Sequence, residues 1–124
     1  MANVSVCIDV LDIKKATQFY ANALECDIKN EEKKSSQLTA ENITIHLLEK
    51  EEKTNPLVNE SASRHYSRHW TPVHLDFSVN DVEKTLSLIQ KFGGTVEGKE
   101  EGDWGIAAFC ADPFGNGFCV IKIN

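Results

Sequence analysis

The stretch Val73–Gly94, VHLDFSVNDVEKTLSLIQKFGG, changes its hydrophobic period once. From Val73 to Val79 apolar and polar residues alternate, the pattern of a strand with one dry face and one wet face. Asp81 then offers a side chain suited to cap a helix. Beyond it Val82, Leu86, Ile89 and Phe92 recur at helical spacing, and Gly93-Gly94 stops the helix. The same plan stands earlier in the chain, in VSVCIDVLDIKKATQFYANAL, Val4 to Leu24. There the alternation runs to Val10, Asp12 is the cap, and Ile13, Ala16, Phe19, Tyr20, Ala23 and Leu24 form the apolar stripe. An offset of 69 residues superposes the two caps and sets Ser5 on His74. Internal repetition of this length is a property of folds rather than of isolated motifs.

Strand candidates follow each helix: about Lys29–Glu32, Gln37–Ala40 and Ile43–Leu48 in the first half, and Thr95–Lys99, Ile106–Cys110 and Phe118–Ile123 in the second. Between the last two, ADPFGNG clusters Asp, Pro, Gly and Asn, the residues that make turns. The expected fold class is therefore α+β, a single domain over 1–124 built of two βαβββ modules. Module one covers about 1–50, a connector about 51–70, and module two about 71–124. Each module has one sheet face covered by its helix and one bare, so an open, curved sheet around a central cavity is expected. The pleat assigns faces: Val4, Val6, Ile8 and Val10 go beneath helix one, leaving Ser5, Cys7 and Asp9 to the cavity. Val73, Leu75 and Phe77 lie toward helix two, leaving His74, Asp76 and Ser78.

A chain of 124 residues is one domain's worth. Its 13 Lys and Arg against 19 Asp and Glu give a net charge of −6, which repels phosphate backbones and anionic lipid. Nucleic acid and membrane are accordingly not expected as partners. No basic leader with a long apolar run opens the chain, and no later apolar run approaches the roughly 20 residues of a membrane span, so a soluble, cytoplasmic protein is expected. Cys7, Cys26, Cys110 and Cys119 form no Cys-x-x-Cys pair; they read as thiols and as small buried apolar residues.

The connector contains SRHY followed directly by SRHW. Its histidines, His65 and His69, stand four apart, as do Tyr66 and Trp70, and on a helix each pair would share a face. The simpler reading is a connector whose aromatics dock on the body or cover a pocket. Glu49–Lys53 reads as a solvated strand exit.

The duplicated plan, together with VLDIKKATQFYANAL, VHLDFSVND and DPFGNGFCVI, resembles the vicinal oxygen chelate superfamily: glyoxalase I, bleomycin-resistance proteins, extradiol dioxygenases and glyoxalase-like domains. The likeness covers nearly the whole chain outside the connector, and the GNGFCV ending looks most like the glyoxalase-like branch. In metal-dependent members each module gives one ligand from its first strand and one from its last. Carried over by position, these places fall on Ser5, His46, His74 and Cys119, the last standing where the family usually has Glu. The resemblance also implies a homodimer.

The two histidines and the thiol, His46, His74 and Cys119, would suit Zn²⁺ or Fe²⁺, with Ser5 a poor fourth ligand. Without the last-strand Glu, lactoylglutathione lyase activity is not expected, because the carboxylate that would serve as base is missing. Two readings stand. The first is a metal-free protein that binds a small molecule in the cavity, with Trp70, Tyr66, Trp104 and Phe109 as stacking surface and His46, His74 and Asp76 as polar contacts. The second is a divergent metal-dependent lyase, isomerase or dioxygenase with one divalent ion. The first ranks ahead because two of the four ligand places are altered.

Overall fold

Asp12 and Asp81 each take an extended backbone and accept a hydrogen bond from the amide three residues on, Lys15 N and Lys84 N, both at 3.1 Å. Those caps start α1 (Ile13–Asn22) and α2 (Val82–Lys91). In this computed structural model, which describes residues 1–57 and 62–124, each helix follows a short strand, β1 (Val6–Val10) or β5 (Leu75–Ser78). After α1 come β2 (Asp27–Glu31), β3 (Ser35–Ala40) and β4 (Ile43–Glu49); after α2 come β6 (Thr95–Gly102), β7 (Gly105–Ala111) and β8 (Gly117–Ile123).

Two four-stranded sheets result, ordered β1-β4-β3-β2 and β5-β8-β7-β6. In both, the strand before the helix pairs in parallel with the last strand of the module, and the other neighbours pair antiparallel. The parallel pair needs a crossover, which the helix supplies. The expected α+β class and two βαβββ modules are thus the observed architecture, with sheets that remain open. The strands start later than the alternation suggested: Val4 and Val73 precede β1 and β5 and are 80% and 82% exposed. Alternation alone cannot show where a strand runs out of partners.

One hydrophobic core joins the modules. Phe19 of α1 meets the Phe118 ring of β8 edge-on at 6.1 Å, and a Cβ placed on Gly94 would lie 2.7 Å from the Phe19 ring. Tyr20 OH donates to Asp112 Oδ2 at 2.7 Å across 92 residues of sequence. Asp112 is buried in the β7–β8 turn and also accepts from the amides of Phe114 and Asn116 and from Asn116 Nδ2. Such a carboxylate survives burial because its lone pairs are filled. The turn cluster read from ADPFGNG is therefore also a bolt between the modules.

The strand exit at Glu49 differs from its expected solvated role. Its Oε2 accepts from Ile13 N at 3.0 Å, supplying an anionic partner to the first turn of α1. Cys26, Cys110 and Cys119 are buried as expected, whereas Cys7 is exposed on the bare face of β1; all four are free thiols. The connector forms no helix over the described residues 62–70.

Candidate functional site

The bare face of the second sheet gathers the reactive groups, and strand register places them. Asp76 on β5 stands opposite Cys119 on β8, and Cys119 stands opposite Phe109 on β7. His74, two residues before Asp76, shares its face by the period of the pleat. His74 Nδ1 lies 3.1 Å from Asp76 Oδ1. One ligand atom from each of His74, Asp76 and Cys119 lies within 4.8 Å of the others.

Depth differs across this group. Cys119 is 4% exposed, while the side chains of His74 and Asp76 are 32% and 48% exposed. Burial pushes the Cys119 thiol above its ordinary range, and the neighbouring Asp76 carboxylate adds to that by its charge and by a hydrogen bond. The thiol is thus held in its protonated form at neutral pH, and service as a metal ligand would require loss of that proton.

Trp70 walls the group. Its ring lies 4.9 Å from the His74 ring, tilted by 33°, and meets Phe109 edge-on at 6.5 Å. It rests on Gly117, where a Cβ would lie 2.2 Å from the indole, so only glycine admits the stacking. Arg68 stands 5.2 Å from the Trp70 ring centroid and pairs with Glu97 at 2.5 Å. That hydrogen bond to Glu97 holds the Arg68 guanidinium up and the Glu97 carboxyl below its usual range.

Of the sequence-derived candidates, the structure brings His74, Asp76, Cys119, Phe109 and Trp70 together. Trp104 lies instead on the β6–β7 hairpin against Gly102. His46 stands on β4 of the other sheet, opposite Cys7 and Gln37, and is not one of the three clustered ligands. Ser5 precedes β1 and is exposed. Arg68 and Glu97, which hold the Trp70 wall, carried no signal in the sequence beyond the repeated SRH; their pairing spans 29 residues.

The donor set is one imidazole, one carboxylate and one thiol on two neighbouring strands. Such a mixture fits a divalent ion of intermediate softness, Zn²⁺ or Fe²⁺, better than Mg²⁺, which prefers oxygen throughout. Asp76 supplies a carboxylate near the place where Cys119 replaces the expected Glu.

Residues 5–121 match the family model described as a glyoxalase-like domain. No curated protein matches the chain in sequence. Among solved structures, the fosfomycin resistance protein FosX from Listeria monocytogenes is similar, with a TM-score of 0.75 and 14% identity over 100% of this chain and 92% of that one. A mutant of the same protein was solved with Mn(II) and 1S,2S-dihydroxypropylphosphonic acid, and matches with a TM-score of 0.72 at 14% identity over 99% of this chain and 92% of that one. A lactoylglutathione lyase from Agrobacterium tumefaciens matches with a TM-score of 0.64 and 13% identity over 98% and 94% of the two chains.

Proposed function

Because the chain belongs to the glyoxalase-like domain family of the vicinal oxygen chelate superfamily, we propose that it binds a small oxygen-bearing molecule through one divalent ion held by His74, Asp76 and Cys119. The observation that carries this reading is the approach of those three ligand atoms to within 4.8 Å. Bound there, a divalent cation would supply Lewis acidity to neighbouring ligand oxygens. The chain's own residues do the rest. Trp70 fixes the plane of His74, and Phe109 offers an apolar edge to the ligand. Asp76 either ligates directly or orients the imidazole through Nδ1.

The partial burial of the group favours an ion over bare hydrogen bonding, because a thiol is a weak donor and a weak acceptor on its own. Ligand binding without metal, which the sequence ranked first, becomes the second reading. Its supporting observation is that burial and Asp76 keep the Cys119 thiol protonated.

Untagged protein, reconstituted with Zn²⁺ or Fe²⁺ and dialysed, is expected to retain about one ion per chain by elemental analysis, and His74→Ala, Asp76→Ala or Cys119→Ala to lose it. Failure of the wild-type protein to retain an ion would transfer the conclusion to the metal-free reading, and retention by all three variants would place the ion away from these residues. His46→Ala reports on assembly: loss of metal there would place the ion between two copies, with the first-module face of one meeting the second-module face of the other. Sedimentation at matched concentration tests the dimer itself.

A further inference from the structure

The repeated tetrapeptides at Ser63–Tyr66 and Ser67–Trp70 fasten to different modules. Arg64 Nε donates to Asp9 Oδ2 of β1 at 2.7 Å, and Tyr66 OH donates to the carbonyl of Lys50 at 2.6 Å, both in module one. Arg68 pairs with Glu97, His69 N donates to the Gly115 carbonyl at 3.1 Å, and Trp70 lies on Gly117, all in module two. The segment is therefore a strap across the module junction. Its four-residue repeat brings His65 and His69 to 6.1 Å between ring centroids, nearly perpendicular.

Beneath the strap, between β1 and β5, lies a cavity of about 510 Å³. Val6, Ile8, Phe77 and Phe118 give it an apolar floor, and His65 and His69 of the strap and His74 before β5 also line it. Asp76 and Cys119 do not line it. A volume of this size, mostly apolar with a few convergent polar groups, is the description of a small-molecule pocket.

We propose that this strapped cavity is a second binding site, which meets the His74–Asp76–Cys119 group only at His74 and holds neither Asp76 nor Cys119, and that it takes a small aromatic carboxylic acid. The aromatic body covers the apolar floor, and the carboxylate accepts from a ring N–H of His69 and from Nε2–H of His65, whose Nδ1 is already shared with Ser67 Oγ at 2.9 Å. The charge arrangement selects this class. Arg64 is committed to Asp9 and Arg68 to Glu97, so the imidazoles supply the donors, and a carboxylate offers two acceptor oxygens to meet them. A neutral aromatic would leave those donors without strong acceptors. A cation would face Arg64 and the imidazoles, and His65 and His69 belong to no cluster of three metal ligands among the described residues.

2-Naphthoate is a suitable probe, with 2-naphthamide as its neutral counterpart, and binding is read by Trp fluorescence and by the imidazole resonances in a proton–carbon correlation spectrum. The expected result is saturable 1:1 naphthoate binding that shifts the His65 and His69 signals and leaves His46 unmoved. The amide binds at least about tenfold more weakly, each of His65→Ala and His69→Ala weakens naphthoate at least about fivefold, and a chelator changes nothing. His65 is exposed and His69 half-buried, so both variants keep the core. Absence of saturation, equal binding of the amide, or wild-type affinity in both His variants would overturn the proposal. Loss of binding in chelator would also overturn it, by assigning the acid to the metal group instead.

Discussion

The two modules share one plan and differ in what they display. On the bare face of module one, β1 and β4 set the exposed Cys7 opposite His46, with Gln37 beyond on β3. On the equivalent face of module two, β5 and β8 set Asp76 opposite Cys119, with His74 and Phe109 alongside. Register and pleat are the same, so the backbone decides where side chains point in both. Only residue identity makes one face a ligand cluster and leaves the other a pair. The helix ends differ in the same manner. Module two closes α2 with Gly93 at φ +97°, its amide and that of Gly94 returning to Gln90 and Ile89. Module one reaches its left-handed position with Glu25 at φ 55°, where a side chain is disfavoured.

The largest expected effect breaks the modules apart. Asp112→Ala removes the acceptor for Tyr20 OH, two amides and Asn116 Nδ2, and should cost about 3 kcal/mol or more in urea unfolding, since several buried donors lose their partner. Tyr20→Phe, which removes one donor only, should cost about 1–2 kcal/mol. If Asp112→Ala unfolds at the wild-type midpoint, the modules are not held by this contact.

Next in size is the contrast between the faces. Cys119→Ala is expected to weaken Zn²⁺ binding by on the order of 100-fold or more in competition with a chromophoric chelator, and Cys7→Ala to leave it unchanged. Equal losses would erase the distinction between the faces.

The buried thiols give a smaller, pH-dependent contrast. Burial holds Cys26 up at about 11 and Cys110 up at about 12, with neighbouring Asp27 adding to the first and Cys119 and Glu97 to the second. The unfolded chain ionises these thiols near their ordinary range of about 8.5. Their folded values are raised, so their contribution to stability is complete below that range and is lost as pH rises from about 9 toward about 12. The thermal midpoint should therefore fall between pH 8 and pH 10.5, and fall less in Cys110→Ala than in wild type, each compared with itself at pH 8.

The smallest effect lies at the helix ends. Gly93→Ala should destabilise by about 1 kcal/mol because of its positive φ, whereas Glu25→Gly should stabilise by a few tenths, relief of the left-handed strain being partly offset by a more flexible unfolded chain. Matched urea titrations should give opposite signs; equal signs would mean that the two helix ends do not differ in backbone strain.

The fold was legible because its signals are local. Alternation, the Asp12 and Asp81 caps and the Gly93-Gly94 stop each act within a few residues, and the repeat joins them into one architecture. The site was legible in part. Periodicity sent His74 and Asp76 to the bare face, but that Asp76 meets Cys119 depends on β5–β8 register, which no short window encodes. His46 satisfies the same periodicity from a separate sheet, and periodicity is silent on how two sheets sit together. The role of Asp112 was hidden by distance along the chain, its partner Tyr20 lying 92 residues away. The SRHY–SRHW repeat was visible as a pattern, but its two anchors, Asp9 and Glu97, carry no mark in sequence.

Cobalt substitution tests the central assignment most directly, because a thiolate bound to Co²⁺ announces itself by a ligand-to-metal charge-transfer band in the near ultraviolet. That band is expected in Co²⁺-loaded protein, lost in Cys119→Ser and kept in Cys7→Ser. A band that survives Cys119→Ser, or none at all in wild type, would contradict a metal held by the second module's bare face.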